Sequence, residues 1–90
     1  MDEPAAQIVT GMAPEEASRE RQNTEQSLNS TGEALKRLAA RTLDAAQLET
    51  VSQIRHYTDE ARTALKEGDI SRARTLAVKA NLLADDVEKH

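Results

Sequence analysis

The chain has 90 residues, 38% hydrophobic and 31% charged, with Tyr57 as its single aromatic residue and no cysteine. That length allows one small domain, close to the lower limit for a self-sufficient core. The lack of cysteine excludes disulfides, thiolate metal sites and cysteine nucleophiles.

The apolar share is rich in alanine, and each buried methylene contributes only about 0.8 kcal/mol. A thin core is therefore expected, or one completed by a partner, and a large substrate cavity is not. The net charge of −4 is uneven. Asp2, Glu3, Glu15, Glu16, Glu20 and Glu25 oppose only Arg19 and Arg21 in the first thirty residues, and the remainder is balanced. An acidic total speaks against nucleic acid as a partner. No apolar run approaches the roughly 20 residues that span a bilayer, and the acidic start lacks the apolar core of a signal peptide. The chain reads as soluble. It would be cytoplasmic as it stands, and periplasmic or envelope-associated if cut from a longer exported protein.

Residues 1–13 carry Pro4 and Gly11 without periodicity and read as a disordered acidic leader. Pro14, Glu15 and Glu16 then make a favourable helix start, because proline loses no needed hydrogen bond at the first position and carboxylates suit the positive end of the dipole. Residues 15–27 are almost wholly polar. From Leu28 onward, Leu28, Thr31, Leu35, Leu38 and Thr42 fall on one face at steps of three and four. Ser30 and Glu33 have the spacing of a capping box, and Gly32 weakens a helix interior. The helix begins either near Pro14 or afresh near Thr31; one long first helix over about 15–42, frayed at its start, is the favoured reading.

The second start is signalled twice. Asp44 and Gln47 have capping-box spacing, and Leu43 and Leu48 stand where a hydrophobic staple requires them. The second helix, about 45–67, carries Leu48, Val51, Ile54, Tyr57, Ala61, Ala64 and Leu65 over an arc of about 200°, wider than one neighbour needs. It is expected to be the central helix. Gly68 suits the left-handed residue that ends a helix, and Asp69 suits the cap of the next. In the third helix, about 70–88, Ala73, Ala77, Ala80, Ala84 and Val87 form a narrow seam that lets helix axes approach closely. A connection this short makes the second and third helices antiparallel neighbours. The fold expected is an all-α, antiparallel three-helix bundle over residues 14–90, built on a tight hairpin held by Gly68, Asp69, Ala73, Ala77 and Ala80.

Few groupings on this chain carry chemistry. His56 with Asp59 and Glu60 can be imagined as a metal or ligand site, but the metal-binding spacings of helical bundles and zinc proteases are missing. His90 is terminal, and Asp85-Asp86 reads as solvated charge without an oxygen-rich loop to make a cation site. No enzyme and no cofactor is expected. Lys36, Arg37, Arg41, Arg72 and Arg74 are the residues a nucleic-acid adaptor would use on phosphates; solvated helical charge is the plainer reading. Val78 and Leu82 lie away from the alanine seam. Packing against the first helix is favoured for them, with a small exposed partner patch as the alternative.

The Gly68-Asp69 corner, followed by Ala73, Leu76, Ala77 and Ala80 and preceded by Tyr57 and Ala61, resembles the hairpin of a tetratricopeptide repeat over about residues 55–83. Only one copy is present, so a peptide groove does not carry over. The runs "VSQIRHY" from Val51, "ALKEGD" from Ala64 and "ARTLAVKANLLADD" from Ala73 are also similar to a small helical-hairpin domain of unassigned function. That domain occurs in bacterial, often envelope-associated, proteins. Together these readings lead to a non-catalytic protein-interaction or structural module, with a protein partner or self-association.

Overall fold

The computed structural model describes residues 12–90 and contains three helices: α1 (Pro14–Ala39), α2 (Ala45–Lys66) and α3 (Ile70–Lys89). Residues 1–11 of the expected leader lie outside the described residues. Met12, also assigned to that leader, is half-buried against the core.

α1 is one continuous helix. Pro14 opens it, Glu15 and Glu16 occupy its first turn, and Lys36 and Arg37 its last, so both ends complement the macrodipole. The Ser30–Glu33 spacing starts nothing, and the helix runs through Gly32. Leu28, Thr31, Leu35 and Leu38 are buried as the periodicity requires. Thr42 is not. The helix closes at Ala39, where Ala40 N–H and Arg41 N–H donate to the carbonyls of Arg37 (3.2 Å) and Leu38 (3.0 Å) in a tightened last turn, and Thr42 is left exposed in the connection.

The start of α2 follows its chemistry. Gln47 N–H donates to Asp44 Oδ1 at 2.8 Å, and Asp44 N–H donates to Gln47 Oε1 at 2.9 Å. Only the first half of the expected staple is buried: Leu43 packs against the core, whereas Leu48 is 56% exposed.

At the far end of α2, Asp69 N–H donates to the carbonyl of Ala64 at 2.8 Å and Gly68 N–H to that of Leu65 at 3.1 Å. These are the two bonds of a Schellman motif, and Gly68 takes the left-handed conformation it needs, with φ of 80°. Asp69 Oδ1 then accepts from Arg72 N–H at 3.2 Å, capping α3. One residue pair thus ends one helix and begins the next.

The central helix is α3. It packs closely along both α1 and α2, while α1 and α2 scarcely meet. The reading of α2 as central is corrected. Its wide apolar arc counted Leu48, which is exposed, and Tyr57, which is half-buried at the seam with α3. The alanine seam explains the outcome. Ala73, Ala77, Ala80, Ala84 and Val87 are all buried, and their small side chains let two helices draw near one. α2 runs antiparallel to α3, and the ascending contacts Glu20–Arg74, Thr31–Asn81 and Arg37–Glu88 show that α1 and α3 are parallel. Around the corner, Leu28, Ala61, Ala64, Leu65, Ile70 and Leu76 form one cluster; Leu35, Leu38, Val51, Ile54 and Val87 form another towards the opposite end. Tyr57 packs against both, with Lys79 Nζ 5.7 Å from its ring centroid. Among the described residues, seven of the sixteen buried apolar side chains are alanine, which keeps the core thin.

Candidate functional site

α3 divides its surface among two neighbours and solvent. Beside the alanine seam, Arg74, Asn81 and Glu88 recur at intervals of seven, two helical turns each, and so line one edge. Each reaches α1. Arg74 Nε lies 3.2 Å from Glu20 Oε1. Asn81 Nδ2 donates to Thr31 Oγ1 at 3.3 Å, and Thr31 in turn donates to the carbonyl of Ser27 at 3.1 Å. Glu88 accepts a two-pronged bond from Arg37, 2.6 Å from Nε and 3.0 Å from Nη2. That pair holds the Glu88 carboxyl below its ordinary pKa and raises that of Arg37, the direct hydrogen bond being the main cause in both.

Two arginines from the α1 side also finish the other helices. Arg21 Nη2 donates to the carbonyl of Leu65 at 3.1 Å, and Arg41 Nη1 to that of Glu88 at 3.2 Å, placing a cation at the negative end of α2 and of α3. The polar start of α1 is docked by this polar set.

The face of α3 about 90° round from that edge has no such contacts with α1 or α2 among the described residues. Ser71, Thr75, Val78 and Leu82 fall within an arc of about 60° at 100° per residue. All four are exposed, Val78 to 47% and Leu82 to 64%. The expectation that Val78 and Leu82 pack against the first helix is therefore corrected: α1 is held by the edge at Arg74, Asn81 and Glu88, and the two apolar side chains stand outside it. Val78 borders a cleft of about 210 Å³ between α1 and α3, whose walls include Thr24, Ser27 and Arg74. Among the described residues, the buried Thr24 Oγ1 at that wall has no hydrogen-bond partner. A second hollow of about 400 Å³ opens between α1 and α2, bordered by Arg21, Leu28, Arg62 and Lys66.

The basic residues read together in the sequence are not brought together. Arg37 and Arg41 bond Glu88, whereas Arg72 and Arg74 sit on the first turns of α3, roughly 20 Å away at 1.5 Å per residue. Lys36 pairs with Glu33, Arg37 with Glu88 and Arg74 with Glu20, so three of the five are engaged with carboxylates. His56 Nε2 is 3.3 Å from Glu60 Oε2 on the exposed side of α2. Asp85 pairs with Lys89 at 2.9 Å, which raises the lysine pKa, and Asp86 approaches His90 at 3.5 Å. Among the described residues, no three histidine, aspartate or glutamate side chains converge as a metal site, and no helix is long and apolar enough to cross a membrane. Gly68 and Asp69 make the corner, and Ala73, Ala77 and Ala80 are buried along the seam.

The only sequence signal of the docking edge of α3 is the spacing of seven between Arg74, Asn81 and Glu88. Arg21 had no signal, because its partner is a backbone carbonyl 44 residues away. Comparison with known protein families, curated proteins and solved structures finds no match to this chain.

Proposed function

We propose that the chain is a non-catalytic helical interaction module whose docking surface is the outer face of α3. The observation that carries this reading is the exposure of Val78 and Leu82, four residues apart, on the one helix already packed by both others. A protein that builds its centre from alanine while leaving a leucine and a valine in water has apolar area in reserve for a partner. The same helix is capped at Asp69 and latched to α1 along its edge, contacts that hold the face in place before a partner arrives.

A photo-reactive amino acid placed at position 78 or 82 in the full chain, expressed in its host cell, tests this. A cross-linked protein adduct is expected from those positions and not from position 62 on α2. Equal yields from all three, or none from 78 and 82, would overturn the reading.

A further inference from the structure

We infer that the occupant of this face is a second copy of the chain, with the two α3 helices packed antiparallel about a two-fold axis near residue 80. The inference rests on the docking reading above and adds the partner's identity.

The order of residues along α3 is what points to a second copy. In an antiparallel pair related by a two-fold axis, each position on one helix faces its mirror about the centre on the other. Centred near residue 80, Val78 of each copy meets Leu82 of the other, so both exposed apolar side chains are covered at once. In that same register the mirror position of Arg74 is Asp86, and Asp85, one residue or 1.5 Å away, lies on Arg74's side of the interface in both halves of the dimer. Both groups reach solvent: Arg74 is 65% and Asp85 58% exposed despite their contacts with Glu20 and Lys89. Ser71 and Thr75 extend the strip at one end and Lys89 at the other, where the mirror position of Lys89 is the uncharged Ser71, and no like charges stand at mirror positions along it. Other arrangements are worse. A parallel pair sets Asp85 and Asp86 against their own copies, and moving the centre by half a turn towards Leu82 sets Val78 against Asp86. One arrangement satisfies both hydrophobic burial and charge.

The covered patch is small, so the association belongs to the weak class of interfaces, formed towards the upper micromolar and millimolar range. Sedimentation velocity of the full chain across that range is the direct test. The weight-average mass is expected to rise from 9.9 kDa towards the dimer value. Leu82→Asp should weaken the association by about tenfold or more, with unchanged helical circular dichroism. Asp85→Arg should also weaken it, by opposing Arg74 of the second copy. Mixed V78C and L82C chains should form a disulfide between them faster than either does alone.

A mass that stays at 9.9 kDa at every concentration overturns the inference. So does a dimer indifferent to both substitutions, whose interface would lie elsewhere. If the chain is monomeric yet position 82 still cross-links to a different protein, self-association falls while the docking reading stands.

Discussion

Two glycines on this chain do opposite things, and the difference is geometric. Gly68 has φ of 80°, a conformation in which a side chain's Cβ crowds the following carbonyl at a cost of roughly 1–2 kcal/mol. Nothing lies within 4 Å of where that Cβ would be, so the cost is backbone strain alone. Gly32 is also open, but it sits in the middle of α1 with ordinary helical backbone. There glycine only adds freedom to the unfolded chain and weakens the helix by about 1 kcal/mol relative to alanine. Gly68→Ala should therefore lower stability by about 1–2 kcal/mol, with Gly68→Asn lower by less, while Gly32→Ala should raise it by about 1 kcal/mol. Urea denaturation of the three variants checks both signs. A neutral Gly68→Ala would mean the Schellman corner is not what ends α2.

At the scale of the helix, the contact between α1 and α3 is polar along its edge and has a pH signature. Arg37 keeps Glu88 below its ordinary pKa, so the unfolded chain binds a proton at this residue more readily than the folded one. Stability from this pair is then fully present above the unfolded pKa of the glutamate and falls away as the pH drops through its folded pKa. Glu88→Gln should lower the melting temperature at neutral pH, and the gap from the wild type should close in acid. Melting curves followed by circular dichroism from neutral pH to below the carboxylate range check this; a gap that persists unchanged in acid removes the ion pair as its source. Element identity was legible for local reasons: Pro14, the Asp44–Gln47 box and the Gly68-Asp69 corner each act within a few residues. The docking of α1 was not. Residues 14–27 offered almost nothing apolar to bury, and their partners Arg74 and the Leu65 carbonyl are more than forty positions away. The exposed candidate patch was legible only as an alternative, because a helical wheel gives the angle of Val78 and Leu82 but not which neighbour occupies that angle. The width of an apolar arc likewise gives area but not the number of neighbours. Alanine is the residue that misleads most, since a narrow seam of it accommodates two close helices where larger side chains would hold one.

For the whole molecule, the consequence is that the α2–α3 hairpin, although it has the clearest sequence signals, is not a domain. Each core cluster needs α1: Leu28 fills the one around the corner, and Leu35 and Leu38 fill the other. Leu28 and Leu38 are among the largest fully buried side chains. Without them, α3 keeps an alanine seam with one wall exposed, on a chain below the size at which a core sustains itself without staples. A fragment of residues 44–90 should accordingly show low helicity and no cooperative thermal transition, caps and corner notwithstanding, because caps contribute about 1 kcal/mol each while the backbone entropy of ordering every residue opposes them. Adding a peptide of residues 12–43 should restore helical signal in a saturable way, since Glu20, Arg21, Thr31, Arg37 and Arg41 carry the latches to both remaining helices. Circular dichroism of the fragment, alone and titrated with that peptide, measures this. A fragment that melts cooperatively by itself would place the stability of the fold in the hairpin, and α1 would then be an accessory laid upon it.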